Sequence, residues 1–223
     1  TIAATFDTNV AAGNLIAVKV EWDKVGGADI TATVADSLGN TYTQVNQIEQ
    51  TGQDPNARAA SFYAKNILGG ANTVTATFSA TATNRRIIIH EVSGADTVAP
   101  LNANAAQFQS APGTGTDAVT SGAATPTTNG CYIFGATGGK LGGSTISAGT
   151  GYTGRQNIGF NNHASEDQIQ ATAASIAATF TIDSGSNSLT FMMAFAPPTG
   201  FNPSSGFPWM QQPPFIPVKT EVV

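Results

Sequence analysis

Charge is scarce in this sequence. Asp, Glu, Lys and Arg make up 10% of its 223 residues, against roughly 25% in ordinary soluble domains. Nine Lys and Arg, scattered singly except for Arg85-Arg86, leave no electrostatic footprint for nucleic acid and none for an anionic membrane surface. The single cysteine, Cys131, excludes a disulfide within the chain. It lies in the apolar run Cys131-Tyr132-Ile133-Phe134, which predicts a buried, inert thiol. Two histidines are too few for a His-rich metal site. No run approaches the ~20 apolar residues of a membrane-spanning helix, so no membrane insertion is expected. The G-x-S-x-G elbow, the P-loop, H-E-x-x-H and paired-cysteine zinc spacings are all missing. A non-enzyme without cofactor or metal is therefore the expectation. Thr1 fits two histories, a removed signal peptide or a clipped initiator Met, which imply different compartments.

Thr, Ala, Gly, Asn and Ser fill the space that charge leaves. Such a surface loses little side-chain entropy when covered, which suits permanent contacts between subunits. A secreted protein with a neutral surface is the alternative. Periodicity is two almost throughout, and amphipathic helical patterns are absent. The spacing predicts strands over Ile2–Asp7, Asn14–Trp22, Ile30–Asp36, Thr41–Ile48, Ala59–Lys65, Thr73–Ser79 and Arg85–Val92. Further strands are predicted over Asp117–Ser121, Cys131–Ala136, Tyr152–Asn157, Asp167–Thr172, Ile176–Ile182 and Ser188–Ala196. In Thr73–Phe78, Val74, Ala76 and Phe78 share one face and threonines the other, the pattern of a half-buried antiparallel strand. Turn signals such as Ser37-Leu38-Gly39-Asn40 and Leu68-Gly69-Gly70 separate the strands. The fold class expected is all-β: an antiparallel β-sandwich, jelly-roll-like, over residues 1–196.

A weak internal echo runs through the chain. Ala76-Thr77-Phe78 precedes Ile87-Ile88-Ile89 by the same interval that separates Ala178-Thr179-Phe180 from Leu189-Thr190-Phe191. Asn40-Thr41-Tyr42-Thr43 is matched by Thr150-Gly151-Tyr152-Thr153. Either a duplication covers about 13–96 and 129–196, or two Thr-rich hairpins simply look alike. A single sandwich built from both halves is expected, with 101–128 and 138–151 as surface excursions. Residues 197–223 are of another kind. Seven prolines there forbid a helix or a central strand and favour an extended arm. Its apolar groups are costly to expose, so Phe201, Phe207, Pro208, Trp209, Met210, Pro213, Pro214, Phe215, Ile216 and Pro217 are the candidate docking residues. They would seat on another subunit, or fold back over their own sandwich.

Other candidates for chemistry carry simpler readings. His90 shares a strand face with Arg86 and Ile88 and reads as a structural histidine. His163, in Asn161-Asn162-His163-Ala164-Ser165-Glu166-Asp167, joins Glu166 and Asp167 around a cation or stands in a solvated loop, the second being the expectation. A glycosidase pair would draw on Asp23, Glu91, Asp96, Glu166 or Asp167, and nothing in their spacing favours it. Asp36-Ser37-Leu38-Gly39-Asn40 reads as an Asx-type turn and lacks the alternating acids of a calcium loop. Trp22, Tyr42, Tyr63 and Tyr152 are the candidate ligand-binding residues, as a sugar-stacking platform, although aromatics in a sandwich are mostly core.

Gly13-Asn14-Leu15-Ile16-Ala17-Val18, Asp36-Ser37-Leu38-Gly39-Asn40-Thr41-Tyr42, Phe62-Tyr63-Ala64-Lys65-Asn66, Gly70-Ala71-Asn72-Thr73-Val74-Thr75 and Glu91-Val92-Ser93-Gly94-Ala95-Asp96 follow one another in order. Over about residues 13–100 the chain resembles a loosely defined group of Thr/Gly/Asn-rich β-sandwich domains of bacterial surface and phage virion proteins. The resemblance implies a jelly-roll-like sandwich in a virion or at a cell surface, and it carries no catalytic residue across. The expected function is a structural subunit of a large assembly, such as capsid decoration or a tail component. Its partners would be protein subunits of that assembly, copies of itself among them. The alternatives are a carbohydrate-binding or adhesive module that takes a cell-surface glycan, and an extracellular filament subunit.

Overall fold

The computed structural model describes residues 1–25, 29–51, 57–110, 117–139, 145–158, 163–182, 187–200 and 218–222, with 157–158 and 218–222 described by backbone alone. The described residues form strands and no helix. The first half supplies β1 (Ile2–Thr5), β2 (Leu15–Lys24), β3 (Ala32–Asp36), β4 (Thr43–Glu49), β5 (Ala57–Ala64), β6 (Thr73–Phe78) and β7 (Ala82–Val92). There follow β8 (Leu101–Gln109), β9 (Asp117–Thr120), β10 (Cys131–Thr137), β11 (Ile146–Ala148), β12 (Thr153–Ile158), β13 (His163–Gln170), β14 (Thr179–Ile182), β15 (Ser188–Phe195) and β16 (Val218–Val222). Every ladder between them is antiparallel.

Four sheets result, with strand orders β1-β6-β3, β16-β7-β2-β5-β4, β11-β14-β9 and β12-β13-β10-β15-β8. They obey one rule. Adding eight to a strand's number, with β16 followed by β1, turns the first two sheets into the last two. The echo seen in the sequence thus has a topological counterpart, although each half keeps its sheets to itself. One exchange links the halves. Strand β8 follows β7 along the chain but pairs with β15, and β16 follows β15 but pairs with β7. The crossing point is tight: Asp96 N donates to Ala196 O at 2.8 Å, and Ala196 N to Pro100 O at 2.7 Å.

Three apolar interfaces fill the spaces between sheets. Ile2, Phe6, Trp22, Ile30, Val74 and Ile89 pack between the three- and five-stranded sheets of the first half. Ile133, Ile146, Phe180 and Met192 do the same in the second. Leu15, Ala17 and Val92 meet Tyr132, Phe134, Met193 and Phe195 where the two five-stranded sheets lie face to face. Each fully buried large side chain among these contributes roughly 1.5–3 kcal/mol relative to exposure.

The middle position explains the sequence of β2. Leu15-Ile16-Ala17-Val18-Lys19-Val20-Glu21-Trp22-Asp23 is buried at every residue, because a strand covered on both faces reads as a continuous apolar run. Ile16, Val18, Val20 and Trp22 enter the first core, while Leu15, Ala17, Lys19 and Glu21 face the second half. By contrast β6 buries only Val74 and Ala76 fully and keeps its threonines outermost.

Several strands differ from expectation. The stretch 101–128 contains the nine-residue β8, which Leu101-Asn102-Ala103-Asn104 conceals because Ala and Asn are weak strand formers. It holds as an edge strand on β15. Strand β11, three residues long, lies within 138–151. Strand β13 begins at His163 rather than Asp167. In the arm, residues 201–217, with the docking candidates Phe201, Phe207, Pro208, Trp209, Met210, Pro213, Pro214, Phe215, Ile216 and Pro217, lie outside the described residues. Val218–Val222 is a strand on the edge of β7.

Candidate functional site

The ionisable side chains concentrate where the two five-stranded sheets meet. Lys19 and Glu21 alternate with Val18, Val20 and Trp22 on β2, and that alternation sends both charges toward the second half. Lys19 Nζ binds the Glu21 carboxylate, sits 3.0 Å from His163 Nδ1, and reaches Thr137 O at 3.4 Å. Glu21 Oε1 accepts from Arg86 Nη1 at 3.1 Å and from Gly139 N at 3.0 Å. Lys19, Glu21 and His163 are sealed from solvent, each at most 1% exposed. Burial lowers the Lys19 pKa, opposed by Glu21. Burial, with the positive charges of Lys19 and Arg86, holds His163 well below its usual range. His163 is thus held neutral near pH 7, with its Nδ1 within hydrogen-bond reach of Lys19 Nζ. Gly138 makes the cluster fit, since a Cβ there would run into Glu21, Lys19 and His163 together.

A second chain of polar contacts crosses the same plane. His90 Nε2 lies 2.9 Å from Ser165 Oγ, and Nδ1 lies 3.3 Å from Tyr132 Oη. Tyr132 donates to Asp167 Oδ2 at 3.1 Å, and Arg155 grips Asp167 with two bonds at 2.7 and 2.9 Å. Because the Tyr132 proton goes to Asp167, His90 donates from Nδ1 and Ser165 donates to Nε2. This superficially matches a nucleophile, a base and an orienting acid. The base is wrong for the task. Burial, with a contribution from Arg155, lowers His90 to about 3, so it takes no proton near neutrality, and Ser165 is sealed. The row joins the halves, with His90 on β7 and Ser165, Asp167 and Tyr132 on β13 and β10.

Glu166 faces the other way, into the core of the second half. Its oxygens accept from Gly149 N at 2.8 Å and Thr179 N at 3.0 Å. Burial, helped by Asp167, outweighs those bonds and raises its pKa to about 7. An open groove of about 380 Å³ runs between β11 and β12, with Ile146, Ala148, Ala164 and Phe180 as its apolar lining and Ser147, Arg155, Gln156 and Ser165 as its polar lining.

Several expected residues stand elsewhere. His163, Glu166 and Asp167 belong to a buried strand rather than a solvated loop, because β13 lies between β10 and β12. Its pleat separates Glu166 from the other two, so the three do not converge on a cation. Asp23 binds Asn84, Glu91 binds Ala11 N and Asn14, and Asp96 caps Val98 and Ala99, so no carboxylate pair forms among them. The sugar platform is not assembled. Trp22 is wholly buried against Phe78. Tyr42 packs on the first core and donates to Asp36, Tyr63 stacks on Phe195 between the sheets, and Tyr152 packs on the second core with its hydroxyl on Ala177 O. Asp36 accepts from Leu38 N, Asn40 N, Asn40 Nδ2, Tyr42 and Asn72, which makes it a turn-locking residue. Cys131 is buried, with its pKa raised by burial.

Sequence reasoning passed over Lys19, Glu21, Arg86, Tyr132 and Ser165. The available signal was Lys19 and Glu21 themselves, two charges inside an apolar run where every position is buried.

No family model matches the chain, and neither a curated protein nor a solved structure matches it. The resemblance of residues 13–100 to surface and virion sandwiches therefore rests on turn chemistry alone.

Proposed function

We propose that the chain is a non-enzymatic structural subunit of a large assembly, a phage virion accessory protein (capsid decoration or a tail component), with a jelly-roll-like body and residues 197–223 as its anchor. An extracellular filament subunit is the nearest variant. The observation that carries this reading is the ionic plane between the halves. Lys19, Glu21, His163, His90 and Asp167 are bound to one another or to neighbours across that plane and are buried, and the outward faces carry threonine and amide side chains.

The positive charges tell the same story. Nine Lys and Arg are present, and the seven with described side chains are Lys19, Lys24, Arg58, Lys65, Arg85, Arg86 and Arg155. Each of these is bound to a carboxylate or carbonyl of its own chain. A body so tied internally presents a charge-poor, mildly acidic exterior, and covering such a surface costs little side-chain entropy. A carbohydrate-binding or adhesive module is the alternative, less supported because Trp22, Tyr42, Tyr63 and Tyr152 lie in three separate places.

The test is the mass of the natively purified protein by light scattering, with and without residues 201–223. A large particle that falls to a single chain on truncation is expected. Equal masses for the two forms would overturn the reading.

A further inference from the structure

We infer that β16 is an exchangeable strand, and that in the assembled state it pairs with β7 of a second copy of this chain. This inference rests on the structural-subunit reading above and supplies its joint.

The argument begins with symmetry. Strand β8 leaves the end of β7 and pairs with β15, and β16 makes the equivalent journey from β15 to β7. The two journeys are equivalent in topology and unequal in length. Residues 93–100, eight in all, suffice between β7 and β8, whereas residues 196–217, twenty-two in all, separate β15 from β16. The short route is open to both, because Ala196, directly after β15, already bonds Asp96 in the link that follows β7. Val218, the first residue of β16, sits opposite His90, two residues from the end of β7. At about 3.3 Å per extended residue, a link of this length reaches on the order of 70 Å. That is several times the ~10 Å spacing of packed sheets.

The excess has a composition. Phe201, Phe207, Trp209, Met210, Phe215 and Ile216 fall within it, and large apolar groups of that kind belong on a covered surface. The strand itself supplies what a joint needs. An added edge strand gains main-chain hydrogen bonds, and its register, Val218 to Val222 against His90 to Arg86, fixes the orientation. Without β16, the ladder of β7 would be an open edge, a template for pairing with another chain. A second copy carries the matching strand, so copies link tail to edge in a heterologous, propagating contact.

Disulfide trapping decides between the two routes. In full-length chains carrying Cys131→Ser, Thr220→Cys and Ile88→Cys face each other in register. Oxidation of the native assembly is expected to give a ladder of covalent multimers on a non-reducing gel. Mixed chains carrying only one of the two cysteines are expected to give heterodimers. Links closed wholly within single chains would overturn the inference, and so would no link at all. If Ile88→Cys fails to fold, the pair Arg86→Cys and Val222→Cys at the far end of the ladder asks the same question. Light scattering on the same samples separates two failures. A large particle with only internal links removes strand exchange and leaves the subunit reading standing, whereas a monomer removes both.

Discussion

Gly138→Ala adds one methyl group to a backbone of ordinary conformation, at a point where a Cβ would meet Glu21 Oε2, Lys19 Nζ and His163 Nδ1 at once. None of the three can step aside into water, since all are at most 1% exposed. The methyl therefore drives one charged end out of its contact and leaves the other buried without its partner, which costs about 3–5 kcal/mol. A native chain holds only about 5–15 kcal/mol in total. At roughly 2–4 °C per kcal/mol for a chain of this size, the melting temperature should fall by about 6–20 °C. The assay is guanidinium unfolding, where the midpoint should drop with the slope unchanged. Gly39→Ala is the comparison: its φ of +81° strains any side chain, but nothing lies within 4 Å of its Cβ, so it should cost only about 1–2 kcal/mol. If Gly138→Ala were no more damaging than Gly39→Ala, the ionic cluster would not be packed against that glycine.

Two further expectations concern pH and light. Glu166, raised to about 7 in the fold from an ordinary 4.5, keeps its proton longer folded than unfolded. Its contribution to stability therefore falls as pH rises from about 4.5 to 7. His90, lowered to about 3 from 6.5, works the other way, losing stability as pH falls from 6.5 to 3. Urea midpoints across pH 4–8 should show the Glu166 fall vanish in Glu166→Gln while the acid limb persists, and parallel curves for the two proteins would contradict this. Trp22 is fully buried, so a Trp209→Phe chain should emit from a sealed indole that acrylamide barely quenches, and ready quenching would contradict its place in the core.

The sheet strands were largely legible because their burial is simple. Val74, Ala76 and the threonines of β6 announce a half-buried strand, and the Ile87-Ile88-Ile89 run announces one covered on both faces. The topological repeat was legible in kind, since Tyr42 and Tyr152 stand just before the corresponding strands β4 and β12. It was not legible in register. Phe78 pairs with Ala32 at the start of β3, whereas Phe180 pairs with Ala148 at the end of β11, so the matching Ala-Thr-Phe triplets occupy different places in the pleat. Strand β8 escaped because Asn and Ala carry almost no strand signal, and only its partner β15 makes it one. The ionic plane escaped for another reason. Lys19 meets His163 from 144 residues away, a coincidence of two sheets that no local pattern encodes.

The strand exchange also decides how the molecule carries a load. Strand β1 and strand β16 belong to the same half, one in its three-stranded sheet and one on the edge of its five-stranded sheet. A pull applied before β1 and after β16 is borne by that half and by the five-residue ladder on β7. The second half hangs on this path as a slack branch for as long as the ladder holds. When the ladder parts, the long link straightens and β8–β15 enter the line of force for the first time. A chain whose β16 pairs with its own β7 is thus a fuse in series with a reserve, and the length of the link sets how far its two ends separate before the reserve is loaded.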